Sequence, residues 1–115
     1  MRWYPDYTSL TDVAFDASKI ANGEMVNIIF TVSTSKRALY YDGQLLGEVN
    51  AELAAKSIHP SGNPLTIGSC FINESTTSTD RTFVGTIYDM YMLPRAVSDE
   101  EARVLAAFSL GRFKQ

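Results

Sequence analysis

The chain has 115 residues, 45% apolar and 20% charged, which suits one globular domain and excludes a largely disordered chain. Its net charge is −3, and no Lys/Arg run interleaves with aromatics, which argues against nucleic acid as a partner. No run of 18 apolar residues occurs, so the sequence predicts no helical membrane span.

The opening stretch, "MRWYPDYTSL", is polar and aromatic and lacks the apolar run of a secretory leader. "DVAFDA" (Asp12–Ala17) alternates well enough to serve as a strand. Asn22-Gly23 is a turn dipeptide. Beyond it, "EMVNIIFTVS" (Glu24–Ser33) places Val26, Ile28, Phe30 and Val32 on one face at period two. That face is expected to point inward, leaving Asn27, Ile29, Thr31 and Ser33 on the wetter one.

"KRALYYDGQLLGEV" (Lys36–Val49) has two β-prone runs around Asp42-Gly43. A two-residue Asp-Gly loop needs positive φ at both centres and predicts a type I′ hairpin. Leu39 and Tyr41 point to one side of it, Ala38 and Tyr40 to the other. Asn50–Pro64 reads as a loop with at most one helical turn, ended by Pro60, Gly62 and Pro64. "PLTIGSCFI" (Pro64–Ile72) is the next strand, and Asn73–Thr82 a polar loop. Asn73-Glu74-Ser75 fits the glycosylation sequon, a short pattern that also arises by chance.

Phe83, Gly85 and Ile87 alternate, and Met90 and Met92 continue the apolar series at the opposite parity. A strand over this stretch therefore requires a β-bulge at Tyr88-Asp89, and Pro94 ends it. Ser98 and Glu101 form a capping box, with Asp99, Glu100 and Glu101 suited to the positive end of a helix dipole. Ala102, Leu105, Ala106 and Phe108 are expected to face the sheet, and Gly111 to sit just past the helix end. Short strands, regular turns and one terminal helix predict an all-β antiparallel sandwich.

Four of these pieces, in order and spacing, resemble the laminin-G-like, concanavalin A-like jelly-roll domains. They are "GEMVNIIFTVS", "ALYYDGQLLGEV", "NPLTIGSCF" and the closing "FVGTIYDMYMLPRAVSDEEARVL". Met25 and Asn27 stand where the family often has Trp and His, Tyr88 and Asp89 where it often has two acids, and Pro94 where it usually has Asn. About 22 residues precede the first piece, where the family carries several more strands. The resemblance thus implies a jelly roll shortened at its N-terminus, with a short C-terminal helix, in a single domain over residues 1–115.

Such a fold implies a carbohydrate- or protein-binding module, an accessory part of a larger surface protein or enzyme, at an extracellular or particle surface. The alternative is an assembly protein that uses the sandwich as a packing surface. Catalysis is not expected. Glycosidases need two spaced carboxylates, whereas Asp42 serves the turn and Asp99, Glu100 and Glu101 the helix start. Cys70 reads as a small buried hydrophobe rather than a nucleophile, the one histidine being His59 in a loop. No cofactor is expected. Calcium needs six to eight oxygens, and Glu74 and Asp80 would offer two carboxylates. A sugar site needs a flat aromatic face and fixed polar groups. If Tyr41 matches the family's inward valine, Tyr40 faces outward, and Tyr40, Trp3 and Tyr88 are the contact candidates. The missing strands predict a homo-oligomer or a strand-donating partner.

Overall fold

The computed structural model describes residues 2–3, 11–19, 23–50, 67–68, 70–73, 76–78 and 83–114. These fall into two compact units, Met1–Ile58 with Tyr91–Gln115, and His59–Met90.

The first unit is organised by the Asp-Gly hairpin. β4 (Lys36–Tyr41) and β5 (Gln44–Asn50) run antiparallel with Tyr41 opposite Gln44. Asp42 (φ 48°) and Gly43 (φ 80°) both have the positive φ of a type I′ turn, as the dipeptide predicts. β3 (Ile28–Val32) pairs with β4, from Ile28 opposite Tyr41 to Val32 opposite Arg37, giving the sheet order β3-β4-β5. The Asp42 N–H donates to the Asn27 carbonyl at 2.8 Å, and the Asn27 N–H to Asp42 Oδ1 at 2.7 Å. The turn therefore anchors the entry to β3 as well as joining β4 to β5. Ahead of the sheet, β1 (Arg2–Trp3) pairs antiparallel with β2 (Thr11–Asp12), and a 3₁₀ turn follows at Ala17–Lys19.

α1 (Asp99–Phe113) begins where the capping box places it. The Glu101 N–H donates to Ser98 Oγ at 3.1 Å, and the Ser98 N–H to Glu101 Oε2 at 2.8 Å. Ala102 and Ala106 lie one turn apart and are buried. Their small side chains let the hairpin turn approach closely. A Cβ on Gly43 would lie 2.9 Å from Arg103 Cα and 3.1 Å from Ala106 Cβ. Ala38, Tyr40 and Ala102 form the core, with Ile29 and Val97 packed against it. The Val97 N–H donates to the Thr31 hydroxyl at 3.2 Å.

This docking reverses the expected facing of β3. Helix and sheet meet on the Ile29–Thr31 side, which pairs with Tyr40 and Ala38, while Ile28 is exposed. The isoleucine run Ile28-Ile29 fits either parity, so its period could not choose the face. The opposite face holds buried Leu39 and Arg37. Gly47 lies under Val13 and Ala14 there; a Cβ at Gly47 would collide with the Ala14 carbonyl oxygen. Arg37 is 1% exposed, and its Nε and Nη1 have no hydrogen-bond acceptor among the described residues. The one carboxylate on β3–β5, Glu48, sits opposite Ala38 on the helix side and pairs with Lys36 at 3.2 Å.

Two helix expectations are corrected. α1 continues through Gly111, and its C-cap is Lys114, whose N–H donates to the Leu110 carbonyl at 2.8 Å. Gly111 keeps a helical backbone, because the hydrogen-bond pattern continues across it. Phe108 is 59% exposed rather than facing the sheet. It lies two residues beyond Ala106, roughly 200° around the axis from the buried stripe.

In the second unit, β6 (Cys70–Asn73) pairs antiparallel with β7 (Thr76–Ser78). The expected polar loop after Ile72 thus holds a strand, which β-branched Thr76 and Thr77 favour. The Phe83 N–H donates to the Gly68 carbonyl at 2.7 Å. The strand expected over 83–93, with its bulge at Tyr88-Asp89, is not formed among the described residues. A strand needs a ladder partner, and none of the described strands pairs with it. A local bond from the Met90 N–H to Asp89 Oδ1, 2.8 Å long, takes up one donor instead. The expected turn within Asn50–Pro64, the His59 loop and the Glu74 and Asp80 carboxylates lie outside the described residues, as do the side chains of Trp3, Cys70 and Asn73.

Candidate functional site

Among the described residues, five exposed large apolar side chains fall in one eight-residue stretch of the second unit: Phe83, Val84, Ile87, Tyr88 and Met90. Val84 is 93% exposed and Tyr88 56%. Isolated exposed apolar residues are ordinary on a protein surface, but a continuous run of them is a mark of contact with something else. Tyr88, one of the three contact candidates, belongs to this run. Trp3 lies in β1.

Tyr40 does not face outward. It is 1% exposed, and its hydroxyl donates to Asp99 Oδ1 at 2.6 Å. Helix α1 covers the face of β4 that the family comparison assigned to the exterior, so the ring offers no platform to a ligand. Burial, reinforced by the neighbouring Asp99 carboxylate, pushes the Tyr40 hydroxyl up to about 12. The residue joins the first turn of the helix to the middle of the sheet.

The charged groups at the helix start are engaged with one another. The Arg95 guanidinium donates to both Glu101 oxygens, at 2.7 and 2.9 Å. With the Ser98 N–H, this holds the Glu101 carboxyl down at about 2. Arg103 pairs with Glu100 one turn away, and its guanidinium holds that carboxyl below the usual range. These carboxylates do capping and pairing work on an exposed helix end. No group of three or more potential metal ligands occurs among the described residues.

A further cluster escaped the pattern of the sequence. The Arg112 guanidinium lies 4.8 Å from the centre of the Phe113 ring and 5.7 Å from that of Phe108. Its Nη1 donates to the Tyr91 hydroxyl at 2.9 Å. The readable signal was Phe108 and Arg112 at i and i+4 on a helix. Assigning Phe108 to the core concealed it.

Against known proteins, a laminin G-like model of the Concanavalin A-like lectin/glucanases superfamily matches residues 1–103. A similar fold occurs in the crystal structure of part of an S-layer domain-containing protein from Clostridium thermocellum, with TM-score 0.60 and 24% identity. The match covers 78% of this chain and 42% of that one, so the chain spans less than half of that structure's length. None of the curated proteins compared with it matches the chain. The family match covers most of the sequence, and the chain belongs to the concanavalin A-like superfamily.

Proposed function

We propose that this concanavalin A-like domain is a non-catalytic recognition module that binds a protein or glycan ligand, as an accessory part of a larger surface protein or enzyme. The observation that carries this reading is the exposed apolar run from Phe83 to Met90 in the second unit. Such a run gains free energy when a partner covers it, at roughly 25 cal/mol per Å² of apolar surface removed from water. Its mix of aliphatic and aromatic side chains suits a protein partner, with Tyr88 the residue able to stack on a sugar. Trp3 also remains a contact candidate. Tyr40 is withdrawn from that role by its burial. The shortened jelly roll and a surface location belong to the same reading.

A glycan array, read beside the Tyr88→Ala variant, tests the sugar form. Binding that weakens at least tenfold in the variant supports it. Absence of binding to any glycan leaves the protein-binding form alone. The second reading, an assembly protein, is favoured by the same run acting as a packing surface between copies. Light scattering across dilution separates the two. Concentration-dependent growth in mass supports assembly, and a constant monomer mass from micromolar to millimolar concentration removes it.

A further inference from the structure

The side of the sheet turned away from α1 carries Arg37 and Leu39, both buried. Arg37 stands between two apolar neighbours, opposite Val32 on β3 and Val49 on β5. Val13 is buried on this side too, against Gly47, which pairs with Leu39. A guanidinium is not deprotonated in proteins, so this position holds a permanent positive charge. Its Nε and Nη1 have no hydrogen-bond acceptor among the described residues. The carboxylates around the sheet are engaged elsewhere. Glu48 lies on the helix side and pairs with Lys36 at 3.2 Å. Asp42 Oδ1 accepts the Asn27 N–H, and Asp16 Oδ1 accepts both the N–H and the hydroxyl of Ser18. Burying a charge is costly unless it is paired and hydrogen-bonded. Two open N–H donors and an unanswered positive charge require the same thing, an acceptor that is negative.

We propose that Arg37 is an interior binding site for a small inorganic anion, a halide such as chloride, and that the bound ion stabilises the fold. A water molecule can satisfy an N–H donor but leaves the charge unanswered. A halide does both. It also accepts donors from any direction, so it needs no matched pair of oxygens as a carboxylate does. Size selects it as well. With Arg37 1% exposed, a sugar or a peptide carboxylate cannot reach the guanidinium from outside. A monatomic ion enters when the strip of chain at Val13 and Ala14 opens locally. Val32, Leu39 and Val49 surround the charge with apolar groups, and the low local dielectric strengthens its attraction for the ion. The site belongs to the sheet interior and stands apart from the recognition surface.

Urea unfolding of the full chain in sodium chloride and in sodium gluconate, at equal ionic strength, tests it. Gluconate is an anion too bulky for the site. Above the dissociation constant, each tenfold rise in chloride should raise the folded-to-unfolded ratio of the parent by up to tenfold, and gluconate should not. In gluconate, Arg37→Leu should match or exceed the parent in stability. Rising chloride should close or reverse that gap, because the variant has no site to fill. Arg37→Met, with an unbranched side chain, is the second variant if leucine does not fold. Crystals of the parent grown in sodium bromide locate the ion without any variant. An anomalous bromine peak is expected within hydrogen-bond reach of Arg37 Nε or Nη1. Equal stability of the parent in the two salts overturns the proposal. So does a chloride gain of the same size in Arg37→Leu or Arg37→Met, which marks a general salt effect. Bromine peaks confined to the surface, an adventitious ion only, also overturn it.

Discussion

Replacing Gly43 by alanine tests the contact that joins hairpin to helix. Two costs combine. The backbone at 43 has φ 80°, and an L-residue held there costs about 1–2 kcal/mol. The new methyl would also lie 2.9 Å from Arg103 Cα and 3.1 Å from Ala106 Cβ. The first neighbour is backbone and cannot rotate away, so the turn or the helix must shift, at about 1–3 kcal/mol. The total of about 2–5 kcal/mol is a large part of the roughly 5–15 kcal/mol that stabilises a typical domain. Urea denaturation followed by far-UV circular dichroism measures it, with the slope expected to stay constant. Gly111→Ala is the control. A Cβ there meets nothing within 4 Å, and the residue is helical, so the same chemical change should stabilise by about 0.5–1 kcal/mol. If Gly43→Ala stays within about 0.5 kcal/mol of the parent, the hairpin does not rest on the helix as described.

Tyr40→Phe keeps the ring and removes its bond to Asp99, and is expected to cost about 1–2 kcal/mol in the same assay. Because the folded chain raises the Tyr40 hydroxyl from 10.0 to about 12, its contribution is full below pH 10 and disappears as pH rises through 12. The Phe variant should lack that alkaline loss, and an unchanged profile would refute the assignment. Glu101 has the opposite sign. Its carboxyl is lowered from 4.5 to about 2, so its contribution is full above pH 4.5 and fades as pH falls towards 2. Glu101→Gln should flatten that part of an acid titration followed by circular dichroism. Arg37→Leu removes a buried guanidinium that has two unpaired nitrogens. It is expected to be neutral or stabilising by about 1–3 kcal/mol, and a loss of more than about 1 kcal/mol would show that the guanidinium is paired.

Local chemistry was the most legible part of the sequence. Asp42-Gly43 specified its turn because few residues tolerate positive φ at both centres. Ser98 and Glu101 specified the helix start because two short-range bonds depend on those residue types. The helix end was less legible, since Gly111 tolerates a helical backbone as readily as a left-handed one. Facing was legible only where the two sides of a strand differ. In β3 both Ile28 and Ile29 are apolar, and α1, some 70 residues later, decided between them. The same helix turned Tyr40 from an expected ligand contact into core and left Phe108 outside. Pairing of 83–93 could not be read at all, because alternation records a strand's faces and not whether a neighbour exists.

Amide hydrogen exchange across residues 83–90 tests most directly whether the recognition surface is open. With Phe83 bonded to Gly68 and no ladder beyond it among the described strands, the amides from Val84 to Ile87 should exchange far faster than those of β4 and the middle of α1. Protection across 84–87 equal to that of β4 would mean that the stretch is already paired within the isolated chain. It would then have no surface to offer a partner.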